Sequence, residues 1–493
     1  MMPVSIVIVG AGFCGTMTAV RLLSVQSTTR LSITLVDDRR SVARGIAYRS
    51  DDEGWLLNAP ARALGARREH SNDFVDYCRR EGRPADPDDF LPRAWYGDYL
   101  AHLLQDAALK SKIHQLCQQD GRVVALRPCG EGRTMVCLQS GAHIPADHVV
   151  LATGHHSGRA GSAGVFDGRP LGPRFIRNPW DAMLLRDVPA DSHFFMWGSG
   201  LTALDLVHAL DRRTERPRFT LMSRRGLLPQ RHRQLTRVLA PEAKHALLDD
   251  MTGRPRQCVA AVRQAIAEHH ARDGDWREVI DCLRPAIPQI WTRWSDADRR
   301  AFVRHLAPYW DTHRHRQPPR TASLTKQLLA NGRLTVLRGR LRSIYVAPSN
   351  ELHLTILPRA STNLHLIQAS YVVDCTGPGA TTAHSPTEPS VSQWPNRHPR
   401  DQAPPSDPLF DQLARDGMAT FDWNGLCVDK SYSLIRADGF TGPSVSYVGP
   451  ALRSRYWEAT AVPELLMHID RMIDEITRQF AVGQNDDVPS TCR

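Results

Sequence analysis

The sequence predicts an α/β chain built from two doubly wound parallel-sheet units, the second carrying a helical insertion. Three observations predict it. An apolar strand, a glycine-rich turn and a helix start follow one another in IVIVGAGFCGTMTAVRLL, from residue 6, and again in FFMWGSGLTALDLVHAL, from residue 194. Strands that stop at small residues, HVVLATG and YVVDCTG, also occur twice. Residues 227–330 hold helical patterns too long for hairpins: LTRVLAPEAKHALLDDM, CVAAVRQAIAEHHA and ADRRAFVRHLAPYW.

The bulk numbers fit two substantial cores. The chain has 493 residues, 42% of them hydrophobic, which is too long for one ordinary domain. The net charge of +10 comes without a lysine block or nucleic-acid motif, so the field is read as one for anionic cofactors or substrates, with no nucleic-acid partner. The ten cysteines form no CxxC pair, which favours reduced thiols and a cytoplasmic location. MMPVSIVIVG lacks a basic leader and runs straight into the glycine turn, so it reads as a strand and not as a signal peptide. No apolar stretch approaches the ~20 residues of a membrane span.

In the first turn, SIVIVG is apolar on both faces, as a buried parallel strand requires. Gly10, Gly12 and Gly15 form the G-x-G-x-x-G pattern. The first permits the tight turn, the second lets backbone approach a pyrophosphate, and the third lets helix and strand pack closely. The following helix N-terminus offers unpaired N–H groups to a diphosphate. LSITLVDD is the next strand and ends at Asp37, placed to accept hydrogen bonds from ribose hydroxyls and to repel a 2′-phosphate. This seat therefore points to FAD or NAD.

The second turn keeps Gly198 and Gly200 and has Ala203 at the third position, a replacement the pattern admits. Its second strand, RFTLMSRRG, ends in Ser223, Arg224 and Arg225 in place of an acid. Guanidinium groups there favour a ribose phosphate, hence NADPH. Two unlike seats in one chain imply electron transfer between a resident flavin and a visiting nicotinamide.

Further along, GIAYRSDDEGWLLNAPARALGA follows the first unit, HVVLATG stops at Ala152, Thr153 and Gly154, and YVVDCTGPG carries Thr376 and Gly377. SVSYVGPALRSRYWEATAVPELLMHI takes a strand through Gly449 and Pro450 into an expected helix. Gly45, Ala47 and Tyr48 in a GxAY stretch, Leu57, Asn58 and Pro60 in an L-N-x-P segment, SRRGLLP, and the terminal WEATAVPEL resemble the two-dinucleotide-domain FAD/NAD(P)-binding flavoproteins, among them the flavin-dependent N-hydroxylating monooxygenases. The resemblance implies a discontinuous, glutathione-reductase-like FAD domain and an NADPH domain, both Rossmann-like. It implies FAD reduced by NADPH and then reacting with oxygen. Carried over, Gly10, Gly12, Gly15 and Asp37 match FAD contacts, and Gly198, Gly200, Arg224 and Arg225 match the NADPH set. Tyr48, Asn58, Thr153, Gly154, Gly377, Gly449 and Trp457 are further cofactor candidates. Many relatives have a glycine-aspartate pair where this chain has Gly449 and Pro450. Proline cannot donate a backbone hydrogen bond there.

The expected organisation is an FAD domain at 1–180 and 345–493 enclosing an NADPH domain at 185–345, with the insertion at 227–330. A proline-rich excursion is expected at 386–408 and a tail at QNDDVPSTCR. His232, Arg233, His313, Arg314, His315 and Arg316 are expected to form an anion-binding wall, with Arg316 pairing a substrate carboxylate and Asn58 the polar group near the flavin. Adjacent imidazoles without a carboxylate cluster have poor spacing for a metal, so no metal site is expected. The expected activity is N-hydroxylation of a small amino acid or polar amine by molecular oxygen through a flavin C4a-hydroperoxide. Carbon or sulfur oxygenation, and reductase or oxidase chemistry without oxygen insertion, stay open as alternatives, as does assembly into a homo-oligomer.

Overall fold

The computed structural model describes residues 3–37, 42–50, 52–67, 69–130, 132–154, 165–166, 169–180, 187–233, 238–377 and 407–482. Most of the expected proline-rich excursion and the expected tail lie outside these residues.

The chain opens with β1 (Val4–Val9), α1 (Phe13–Leu23) and β2 (Leu31–Asp37), then α2 (Asp73–Arg80), α3 (Arg93–Lys110) and β3 (Gln115–Asp120). A meander of β4 (Val123–Cys129), β5 (Arg133–Leu138) and β6 (His143–Ala146) leads to β7 (His148–Leu151). After the short β8 (Val165–Phe166), β9 (Arg169–Pro170) and β10 (Phe175–Ile176) come β11 (His193–Trp197), α4 (Leu201–Arg213) and β12 (Arg218–Ser223). The helices α5 (Pro241–Asp250), α6 (Pro255–His270), α7 (Trp276–Leu283), α8 (Ile287–Arg293), α9 (Asp296–His305) and α10 (Ala307–Arg314) follow. Next are α11 (Pro319–Ala330), β13 (Leu334–Val346), β14 (Leu352–Pro358), β15 (His365–Ala369) and β16 (Tyr371–Asp374). The chain returns with α12 (Pro408–Arg415), β17 (Ser433–Ile435), β18 (Thr441–Tyr447) and α13 (Val462–Val482).

These strands form two large sheets. The first has the order β17-β18-β7-β1-β2-β3, parallel except for β17. The second has the order β10-β16-β11-β12-β13-β14-β15, parallel as far as β13. Ile6, Val7 and Ile8 are fully buried, as expected of a central parallel strand covered on both faces.

The two sheets repeat one plan down to the hydrogen bonds. Val9 lies level with Val36 and Leu151, and Trp197 with Met222 and Asp374. Gly10 N–H donates to the Val36 carbonyl at 2.7 Å, and Gly198 N–H to that of Met222 at 2.8 Å. Ala152 N–H reaches the Val9 carbonyl at 2.8 Å, and Cys375 N–H that of Trp197 at 2.9 Å. Each unit also inserts an antiparallel excursion, β4–β6 or β14–β15, before the strand that ends in Thr-Gly.

The repeat moves two expected boundaries. Position 345 falls inside β13, and the second sheet runs on to Asp374, so YVVDCTG belongs to the second unit and not to the returning flavin domain. The β14–β15 hairpin extends that sheet by antiparallel pairing, which hides the continuation in the sequence. The insertion also ends earlier than 330. Leu328 and Leu324 of α11 pack in the core of the second sheet, making α11 the crossover helix between β12 and β13. The remaining helices have their own core of Leu247, Met251, Cys258, Val279, Leu283 and Ile290. Among the described residues no helix is long and apolar enough to cross a membrane.

Candidate functional site

Both glycine turns sit at the carboxyl ends of their strands. In open parallel sheets this is the edge where ligands bind. At Gly10, with φ of +100°, a Cβ would come within 2.6 Å of the Ala152 carbonyl oxygen. Gly198, with φ of +133°, faces the Cys375 carbonyl in the same way, so a Cβ there would collide with it. A Cβ at Gly15 would strike the Gly10 carbonyl, which is the close helix-to-strand packing expected of the third glycine; in the second unit fully buried Ala203 fits instead. The helices begin at Gly12 and Gly200 with no side-chain cap and no acid in their first turns, leaving N–H groups directed outward.

The turns differ in what stands beside them. In the first, Asp37 Oδ2 accepts a hydrogen bond from Ala11 N–H at 2.6 Å, fixing a carboxylate beside the glycine turn. The segment 43–45 folds over this turn: Ala43 N–H donates to Ala11 O at 2.8 Å, and a Cβ on Gly45 would lie 3.1 Å from Gly12 Cα. In the second, Ser223 takes the position level with Asp37 and its hydroxyl accepts from Gly226 N–H at 2.9 Å. Arg224 is exposed and has no hydrogen-bond or ion-pair partner among the described residues. Arg225 is engaged elsewhere. It donates to Arg304 O at 2.9 Å and lies 5.0 Å over the Tyr309 ring, both in the insertion. Nothing lies within 4 Å of a Cβ built on Gly200, Gly154 or Gly377.

A strut of the first unit reaches into the second. Trp55 packs in the core of the second sheet and against Trp180 at 5.4 Å. Arg93 pairs with Asp205 of α4 at 2.9 Å and donates to Leu56 O at 3.1 Å. Burial pushes the Asp205 carboxyl up to about 6, while Arg93 opposes the rise. Asp52 pairs with Arg212 and Arg213 at the other end of α4. Asn58 follows this strut, half-buried, with no side-chain partner among the described residues. The bridge of Leu56 to Pro92 and the bond from Leu57 N–H to Leu91 O bring Asn58 opposite Phe90. The Phe90 ring lies 5.0 Å from that of His232. Tyr48 packs edge-on to Tyr96 at 5.0 Å, and burial pushes its hydroxyl up to about 12.

The return segment supports the insertion. After Gly449 the chain forms only a 3-10 turn, Pro450–Ser454, and the long helix starts at Val462, later than expected. Trp457 packs at a tilt against Trp291 at 4.9 Å and meets Phe302 edge-on at 5.2 Å, both in the insertion, while the Arg453 guanidinium of the return segment lies 4.1 Å over its ring. Trp291 Nε1 donates to Ser454 O at 3.1 Å, and Trp310 Nε1 to Glu458 at 2.8 Å. Arg284 pairs with Glu464 at 2.8 Å, and Arg314 with Glu458 and Glu464 at 3.3 Å.

The expected anion-binding wall is thus largely matched by internal acids. Arg233 pairs with Asp275 at 3.2 Å, and Arg316, only 2% exposed, with Asp281. Arg316 Nε and Nη1 and His232 Nδ1 are buried with no hydrogen-bond partner among the described residues. Burial and then nearby arginines, Arg316 first, push the His232 imidazole down to about 3, so the ring is neutral. Sequence reasoning missed the strut and the acids Glu458 and Glu464. The alternation WLLN and the terminal WEATAVPEL carry them, but nothing local identifies their partners. Burial pushes the Cys14 thiol up to about 12, which removes it as a reactive thiol near the turn. Among the described residues no group of three or more histidines, cysteines and acids could hold a metal.

A family described as FAD-NAD(P)-binding matches residues 7–156. No curated protein matches the chain. Solved structures of similar fold include an ornithine N-hydroxylase of Kutzneria sp. 744, with 16% identity, TM-score 0.59 and coverage of 97% of this chain and 100% of that one. The cadaverine monooxygenase of the desferrioxamine pathway from Erwinia amylovora has 14% identity and TM-score 0.60, covering 97% and 95%. The L-lysine 6-monooxygenase of Pseudomonas syringae has 15% identity and TM-score 0.60, covering 96% and 99%. At these identities the likeness establishes a shared fold: α/β, with Rossmann-like dinucleotide-binding elements and helical insertions.

Proposed function

We propose that the first seat holds FAD, the second receives NADPH, and the protein is a flavin-dependent monooxygenase that hydroxylates the amino group of a small polar amine. One observation carries the reading. Two turns with matching hydrogen bonds end in opposite chemistry, a fixed carboxylate at Asp37 and, among the described residues, an unpaired guanidinium at Arg224. A carboxylate suits ribose hydroxyls, and a guanidinium suits a 2′-phosphate.

The seats fit the groups. Gly200 has open space where a Cβ would point, and both helix starts present uncapped N–H groups suited to a diphosphate. Gly10, Gly12, Thr153, Gly154 and Gly449 stand at the strand ends of the first seat, with Gly15 packing its helix onto the turn; Gly198, Gly200 and Gly377 stand at those of the second. When bound, FAD supplies the oxygen chemistry and NADPH the hydride. The strut from Asp52 to Asn58 holds the seats in one orientation, and the amide of Asn58 can donate to and accept from groups at the flavin. Arg316, buried and paired with Asp281, is a positioning residue within the insertion. The similarity in fold to hydroxylases of ornithine, lysine and cadaverine supports an amine as acceptor.

The test is product mass. FAD-loaded protein with NADPH, oxygen and a panel of diamines and amino acids is expected to yield one amine that gains an oxygen atom. NADPH consumption that gives only hydrogen peroxide with every amine would replace this reading with the oxidase alternative.

A further inference from the structure

We propose that Arg338, on β13, is the second guanidinium of the 2′-phosphate clamp, taking the role that the RR pair at first assigns to Arg225. This rests on the NADPH reading of the second seat. β13 runs parallel to β12, with Ser223 level with Arg338. In-register residues of parallel strands share a face of the sheet. Arg338 therefore stands beside the position that reads the ribose. The turn after Ser223 closes onto it: a Cβ on Gly226 would lie 3.0 Å from Arg338 Cβ.

The local backbone fixes where Arg338 starts. Its carbonyl accepts from Arg359 N–H at 2.9 Å, where the chain leaves β14. Its side chain is exposed and, like that of Arg224, has no ion-pair or hydrogen-bond partner among the described residues. Arg225 differs, because its guanidinium is spent on Arg304 O and the Tyr309 ring. Two unpaired guanidinium groups, one on the turn and one on the neighbouring strand, flank the site where a terminal ribose phosphate would sit. A doubly charged phosphate accepts several charge-assisted hydrogen bonds at once, which neither group alone supplies.

Equilibrium binding tests this without turnover, using 2′,5′-ADP and 5′-AMP as calorimetric probes on the FAD-loaded protein. The wild type should bind 2′,5′-ADP the more tightly. Arg338→Gln should weaken 2′,5′-ADP about tenfold or more, the usual scale for a lost charge-assisted bond, and leave 5′-AMP within about twofold. Unchanged 5′-AMP affinity also reports that the seat is folded. Arg338→Lys should recover part of the loss, and Arg225→Gln should change the preference less than about threefold. A wild type without preference for the 2′-phosphate would remove the NADPH reading itself. A preference that survives Arg338→Gln would overturn this proposal and leave the NADPH reading standing.

Discussion

Replacing Gly200 by alanine separates what the fold needs from what the ligand needs. A Cβ at Gly200 meets no heavy atom within 4 Å, and the backbone there, φ −84° and ψ −172°, is open to any L-residue. The substitution restricts the unfolded chain, which stabilises by about 0.4–1 kcal/mol. Alanine is a poorer helix cap than glycine, which costs a similar amount. Stability should therefore stay within ~1 kcal/mol of wild type. A dinucleotide, by contrast, needs that space for its diphosphate to reach the helix start. Losing one or two charge-assisted bonds should weaken NADP⁺ binding roughly 10–100-fold. Gly198→Ala is the opposite case, since its φ of +133° and the Cys375 carbonyl leave no room, and it should cost about 3 kcal/mol or more of stability. Urea unfolding and NADP⁺ titration on both variants give the comparison. Unchanged NADP⁺ affinity in Gly200→Ala, or destabilisation equal to that of Gly198→Ala, would refute the reasoning.

Other perturbations follow from the same geometry. Arg93→Met strands Asp205, whose carboxyl already sits at about 6; without its cation it is pushed higher. Because the folded state then holds its proton more tightly than the unfolded chain, the variant should be only mildly destabilised at pH 5.5. By pH 8 the loss should reach about 3 kcal/mol, read from urea midpoints; a loss independent of pH would contradict the buried pair. Trp291→Ala removes a side chain 1% exposed that packs against Trp457 and bonds to Ser454, at a cost of about 3–5 kcal/mol. Limited proteolysis should then cut first within 238–318, and uniform cleavage would argue against a separately docked insertion. Cys14 should resist maleimide at pH 8 in the native protein while exposed Cys117 reacts, as peptide mass mapping would record. Asn58→Ala should keep flavin content and raise peroxide release per NADPH consumed; loss of flavin instead would place Asn58 against the wrong group.

What was legible in the sequence was local. The glycine turns, the strands that feed them, and the contrast between Asp37 and Arg224 all lie within short windows where spacing encodes geometry. The division of the chain was not. β13 and the β14–β15 hairpin read as a return to the first unit, and only the pairing of β13 with β12, of the hairpin with β13 and of β16 with β11 shows that the second sheet continues to Asp374. Trp457 is a cofactor candidate through the resemblance of WEATAVPEL, and nothing in that segment announces its packing against Trp291 and Phe302 of the insertion, whose Trp291 bonds a carbonyl 163 residues away. Arg314, Arg316 and Arg320 all stand in DTHRHRQPPR, and composition could not separate the two buried ones, Arg314 and Arg316, from exposed Arg320. Arg338 carries no motif at all; it acquires meaning from being level with Ser223.

The most direct test of the two-seat account is anaerobic stopped-flow mixing of the FAD-reconstituted protein with NADPH and, separately, NADH. The account predicts bleaching of the oxidised flavin band, at least about tenfold faster with NADPH at equal subsaturating concentration, the scale of one phosphate clamp. A protein that takes up no FAD, or whose flavin stays oxidised with both nucleotides, would contradict it.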